Sequence, residues 1–249
     1  MSKKMLCLLA LVVAFASLSF AQNTKNSPKT ARDLGLANVP PPTITCSNCF
    51  AYGGDLDPND PNANGLASEN DLIAQAEVVQ SFTIPAGKNA TLYRIAGNYL
   101  TLGCQGGLDP KQADWDVRQG VSSGNGGTVV ASGTDKAVIA PTGRTAFGLI
   151  ECHVETKLSN TVSMNGGTYY VGMSPYCTNS NNSLCAAGQR FFLSDTTSGT
   201  NGRGLVNTDD SFFNSSFFGA NWQPTWGSSG ACGGVGCDKF SMGLIGSTK

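Results

Sequence analysis

Charge is scarce in this chain. Only 13 % of its 249 residues are Asp, Glu, Lys or Arg, and there is one histidine, His153. No basic stripe or cluster exists, which argues against electrostatic capture of nucleic acid and against a polybasic membrane anchor. With one imidazole and no Gly-x-Ser-x-Gly, a serine-nucleophile triad has no parts to draw on. The glycine runs lack the following Lys-Ser or Lys-Thr that a phosphate-cradling loop requires. Beyond the first twenty residues no apolar run approaches the ~20 needed to cross a bilayer as a helix.

What is present begins with Lys3 and Lys4, then an uncharged apolar stretch over 6–20, then Ser19-Phe20-Ala21 with small residues at the two cleavage-specifying positions. That pattern predicts a signal peptide over 1–21 and a secreted, extracellular protein, or a periplasmic one. Of 16 Lys and Arg, losing Lys3 and Lys4 leaves 14 against 17 acidic residues, a mature net charge of −3. Residues 22–45 hold Pro40-Pro41-Pro42 and little to pack, and read as a flexible leader. Residues 46–249 are long enough for one large β-domain with its own core.

Nine cysteines less Cys7 leaves eight: Cys46, Cys49, Cys104, Cys152, Cys177, Cys185, Cys232 and Cys237. An even number in an exported chain favours disulfides, although eight cysteines allow 105 connectivities. Spacing points to local closures of Cys177 with Cys185, Cys232 with Cys237 and Cys46 with Cys49, leaving Cys104 and Cys152 for each other. Two alternatives carry less weight. A redox Cys46-x-x-Cys49 needs a helix N-terminus behind it, and Gly53, Gly54 and Pro58 follow instead. A zinc site of Cys46, Cys49, Cys232 and Cys237 is disfavoured by oxidising export.

From residue 76 onward short β-prone runs alternate with turn clusters. Runs at 78–84, 91–102, 115–121, 145–156, 166–173, 190–193 and 239–245 read as strands. Residues 128–131 and 136–140 read as a hairpin around 132–135. A helix is conceivable only over 69–78. The expectation is an all-β, antiparallel two-sheet sandwich of jelly-roll type with about nine strands.

Phe-Thr-Ile-Pro-Ala-Gly at 82–87, Gly-Asn-Tyr at 97–99, Thr-Val-Val-Ala-Ser-Gly at 128–133, Gly-Gly-Thr-Tyr-Tyr-Val-Gly-Met at 166–173 and Asp238-x-Phe240 closing on Gly246 follow one another in a set order. In this the chain resembles a loosely defined group of exported bacterial β-sandwich domains, over about 170 residues. The resemblance implies a fold and an exported location, and it carries over no catalytic residue.

Three local patterns bear on function. Asp60, Asn62, Asn64, Leu66 (through its carbonyl), Ser68 and Asp71 fit the ligand positions of a twelve-residue calcium loop with Gly65 at the sharp turn. The plainer alternative, which outweighs it, is a turn cluster whose side chains bond their own backbone. Glu151, His153 and Glu155 would share one face of a strand, as a metal or acid–base row or, more simply, an exposed charged face. Trp222 and Trp226, with Phe212, Phe213, Phe217 and Phe218, lie among Asn, Ser and Gly, which suits sugar stacking or a loop-covered core. The leading expectation is therefore a non-catalytic surface or matrix protein whose partner is a carbohydrate or a surface protein. An exported polysaccharide hydrolase and a purely structural extracellular component are the alternatives. The hydrolase would need two convergent carboxylates from candidates such as Asp114, Asp116, Glu151 and Glu155.

Overall fold

The structure, a computed structural model, describes residues 29–31, 46, 48–57, 60–70, 75–104, 112–176, 190–196, 201–234 and 236–249. Residues 1–28 and 32–45 lie outside these, as do Asp71, Cys177 and Cys185.

The described chain is all-β and antiparallel, with twelve strands where about nine were expected. They are β1 (Cys49–Tyr52), β2 (Gly65–Ala67), β3 (Glu69–Asn70), β4 (Gln75–Thr101), β5 (Gln112–Gln119), β6 (Thr128–Ala146), β7 (Leu149–Pro175), β8 (Phe192–Ser194), β9 (Arg203–Gly204), β10 (Val206–Ser215), β11 (Ala220–Pro224) and β12 (Met242–Thr248). The main order is β5-β6-β7-β4-β12-β1-β9. β4 and β7, 27 residues each, are the backbone of the fold. Their outer halves pair along 79–84 and 167–172, flanked by β5 and β10. Their inner halves pair along 89–101 and 150–165, flanked by β6 and β12. Register breaks between Ile84 and Asn89 and between Leu92 and Arg94 let the pair bend from one half to the other.

Alternation decides which face each strand buries. In β5, Ala113, Trp115 and Val117 enter the core while Asp114 and Arg118 are half-buried on the other side. Phe82, Leu92, Ile95, Tyr99, Val171 and Leu244 join the same apolar cluster from β4, β7 and β12. A second cluster of Val79, Val121, Tyr170, Phe212 and Trp222 packs on the opposite face of the outer half.

Several expectations need correction. Residues 69–70 are β3 and 75–78 open β4, not a helix, because Glu69 and Asn70 pair antiparallel with Ala76 and Gln75. The expected hairpin around 132–135 is one continuous strand, β6. Gly133 does not turn the chain; a Cβ there would stand 2.9 Å from the Trp115 indole, so glycine is present for close approach. Residues 145–156 are not one strand but the β6–β7 corner, where Phe147 (φ 55°) and Gly148 (φ 71°) make a two-residue turn with both φ positive.

Three disulfides close within the described residues: Cys46–Cys49, Cys104–Cys152 and Cys232–Cys237. This removes the zinc alternative, since all four of its sulfurs are bonded in pairs. The Cys177–Cys185 closure lies outside the described residues.

Candidate functional site: a polar cleft at the sheet end

The calcium-loop residues do not wrap around a point. Asp60 Oδ1 accepts the Asn62 N–H at 2.8 Å, and Asn64 Oδ1 accepts the Gly65 N–H at 2.9 Å. Gly65 to Asn70 then run extended, with Leu66 paired to Leu193. At about 3.3 Å per residue, five steps span about 16 Å, far more than one cation shell. The Ser68 hydroxyl donates to the Met173 carbonyl at 3.0 Å and accepts the Val78 N–H at 3.2 Å. Asp71 lies outside the described residues.

Glu151, His153 and Glu155 do share a face of β7, but each turns to a different partner. Glu155 meets Arg94 at 2.6 Å, and His153 Nδ1 meets Asn98 Oδ1 at 2.8 Å. Burial holds the His153 imidazole below its ordinary pKa, against the pull of Glu155. The expected exposed face is not what Glu151 finds. It is fully buried, contacts Arg144 Nε, and accepts from Thr142 Oγ1 (2.8 Å) and Ser194 Oγ (2.9 Å). Arg144 Nη1 also reaches Asp55 Oδ1 at 3.1 Å, and Asp55 accepts from the Tyr52 hydroxyl at 2.7 Å and Asn201 Nδ2 at 3.1 Å. Burial pushes Glu151 above the usual carboxylate range, and Arg144 opposes it. With every charge answered by a partner, this network joins β1, β6, β7 and β8 and presents no open ligand position.

Trp222 is also packed. Its ring is 8 % exposed, with the Arg118 guanidinium 4.5 Å from the ring centroid. Its indole sits where a Cβ on Gly126 would lie, at 2.5 Å. Trp226 stands half-buried beside it, edge-on to Phe212 at 5.6 Å. Neither ring is a bare stacking platform.

The open concavity lies next door. A cleft of about 480 Å³ forms between β3, the start of β4, the ends of β5 and β7, and the β10–β11 turn. The amides of Asn70, Gln75, Asn214 and Asn221 line it, with the hydroxyls of Ser215 and Ser216. Its acids are Glu69, Glu77 and Asp114, and no Lys or Arg lines it among the described residues. Register explains the convergence. Asp114 pairs with Ser174 across β5 and β7, and one row further Asp116 pairs with Gly172, which pairs with Val79 on β4. Residues two apart share a face. Asp114 and Asp116 therefore lie on the face that carries Ser174 and Gly172, and Glu77 lies on the matching face of β4.

Gly172 makes the key contact there. A Cβ on it would lie 2.4 Å from Glu77 Oε1, so the missing side chain is the space the Glu77 carboxyl occupies on its way to Asp116. Asp116 is 6 % exposed, and its Oδ2 is held by Arg118. No N–H or hydroxyl reaches its Oδ1. The Glu77 carboxyl interacts with the Asp116 carboxyl. Burial first, and Asp116 second, hold Glu77 well above the ordinary carboxylate range. Asp114 is better supplied, accepting from Asn70 Nδ2 at 2.7 Å and from Thr134 Oγ1. Of the hydrolase candidates, Asp114 and Asp116 thus come together while Glu151 and Glu155 lie elsewhere. Glu77 had no signal in the sequence, because its role depends on a glycine ninety-five positions away.

No family model matches the sequence, and the comparisons with curated proteins and with solved structures give no match. Among the described residues no helix is long and apolar enough to cross a membrane.

Proposed function

We propose that this is an exported, non-catalytic β-sandwich module that recognises glycan at a cell surface or in a matrix, and that it does so in the Glu77–Asp114 cleft. The observation carrying the reading is the cleft lining: amides and hydroxyls, which match the paired donor–acceptor character of sugar hydroxyls, around a volume that suits a short oligosaccharide. Export is supported by the N-terminal pattern and by three disulfides, which persist in oxidising compartments. The test is binding of the purified chain to immobilised polysaccharides. Ser216→Trp, an exposed cleft position, abolishes binding while the fold is retained, and Trp226→Ala leaves it intact. Binding that survives Ser216→Trp overturns the cleft as the site.

A second reading, polysaccharide hydrolysis, draws on Glu77 and Asp114 lining one cleft. It requires release of reducing ends that Asp114→Asn abolishes. The Glu77–Asp116 pair does not serve it, because Asp116 is buried and does not line the cleft.

A further inference from the structure

We propose that Asn125 is a site of spontaneous covalent modification. Its side-chain amide closes onto the Gly126 nitrogen, loses ammonia, and leaves an aspartate or isoaspartate link that frees Trp222 from its packing.

Asn–Gly pairs stand at 64–65, 125–126, 165–166 and 201–202. Glycine leaves the following nitrogen unshielded in each, so the sequence ranks them equally. The fold does not. Asn64 is 1 % exposed, and its Oδ1 is occupied by the Gly65 N–H at 2.9 Å. Asn165 stands within β7 opposite Asn89, with its N–H donated to the Tyr169 hydroxyl at 3.1 Å, so the rotation that ring closure needs would break the ladder. Asn201 Nδ2 is held by Asp55 Oδ2 at 3.1 Å, and that carboxylate opposes the negative charge developing on the same amide.

Asn125 differs on each count. It is exposed. Its backbone is fixed from the N-terminal side, where it exchanges both N–H···O bonds with Ser122 at 2.9 and 2.8 Å across a two-residue turn. Its Oδ1 accepts the Gly127 N–H at 3.0 Å. That bond folds the side chain forward over the Gly126 nitrogen and polarises the carbonyl to be attacked. Among the described residues no acceptor takes the Gly126 N–H. The Gly126 carbonyl accepts from Arg118 Nη1 at 3.0 Å, so a guanidinium stands beside the peptide on which negative charge develops. The Gly126 nitrogen gives up its proton and bonds to Asn125 Cγ, the Cγ–Nδ2 bond breaks, and ammonia departs with a proton. Water then opens the five-membered imide at either carbonyl and leaves a carboxylate. Opening at the backbone carbonyl routes the main chain through the side chain and lengthens it by one carbon.

The consequence falls on Trp222. Its indole lies so close to Gly126 that a Cβ there would stand at 2.5 Å, and its carbonyl accepts the Gly124 N–H at 3.2 Å. The Arg118 guanidinium that holds the Gly126 carbonyl also covers the Trp222 ring. A lengthened turn with a new carboxylate competing for Arg118 loses both grips on the indole.

Peptide mapping by mass spectrometry of the purified chain, held folded in mildly alkaline buffer, reads conversion at all of these pairs. Asn125 is expected to convert at least about tenfold faster than Asn64, Asn165 or Asn201, with tryptophan emission shifting to the red in step. In urea the rates should converge, because the geometry that separates them is gone. Asn125→Gln, whose longer side chain cannot close a five-membered ring, should keep the fold and abolish both the conversion and the shift. Equal rates in the folded chain, a faster site elsewhere, or a ranking that survives urea overturns the assignment. Conversion of Asn125 without a change in emission overturns the release of Trp222.

Discussion

Arg144→Met strikes the most consequential charge in the fold. The Arg144 side chain is 1 % exposed and bridges Glu151, fully buried, and Asp55, 2 % exposed. Methionine matches the stem but leaves both carboxylates without their cation. Breaking a buried ion pair from one side costs about 3–5 kcal/mol, since the abandoned charge has no water to fall back on. In a domain of this size that is about 6–20 °C in Tm. The four neutral donors to Glu151 and Asp55, from Thr142, Ser194, Tyr52 and Asn201, place the loss at the lower end. The pH dependence separates charge from packing. Without Arg144, burial raises the folded-state pKa of Glu151 further. A raised carboxyl keeps its stability below its unfolded pKa and loses it as pH rises through the folded one. The variant's deficit should therefore be small near pH 4 and grow towards pH 7. Urea unfolding at a series of pH values measures it, and Arg144→Met/Glu151→Gln should recover part of the loss at pH 7. A deficit under about 1 kcal/mol that is flat with pH would refute the reasoning, because Glu151 would then not be a buried charge.

Replacing Cys104 and Cys152 by Ser opens a loop of sequence separation 48, worth about 4 kcal/mol on the chain-entropy account, read from unfolding under oxidising conditions. Glu77→Gln should flatten one pH response. Burial raises the folded-state Glu77 carboxyl well above its ordinary range, so its contribution to stability is full below that range and is lost as pH rises through the raised titration, and the wild-type unfolding free energy falls with pH where the variant's does not. Gly172→Ala sets a Cβ 2.4 Å from Glu77 Oε1 and must expel that carboxyl from Asp116, at about 1–3 kcal/mol of strain, with the same pH response lost.

Much of the fold was legible because it is written locally. Alternation placed Ala113, Trp115 and Val117 inward, and cysteine spacing anticipated the three closures found among the described residues. The strand count failed where local signals carry two meanings. Gly133 reads as a turn residue, yet its glycine serves an indole on the neighbouring strand. Conversely Phe147 gives no turn signal, yet it takes a positive φ. The candidate site was half legible. Asp114 and Asp116 are among the hydrolase candidates the sequence offers, but Glu77 belongs to a different strand and meets them only across β7. Glu151 was expected on a charged outer face because nothing local announces that Arg144 and Ser194 will cover it.

Period-two patterning, turn chemistry and cysteine arithmetic determined by themselves that this chain is antiparallel β with local covalent closures, because each acts over a few residues and survives without knowledge of neighbours. Which strands lie side by side, and so which carboxyls touch, was decided by tertiary structure alone. One register step in β7 places Gly172 between Val79 and Asp116 and opens the gap through which Glu77 reaches. A shift of one residue would put all of these side chains on the opposite face.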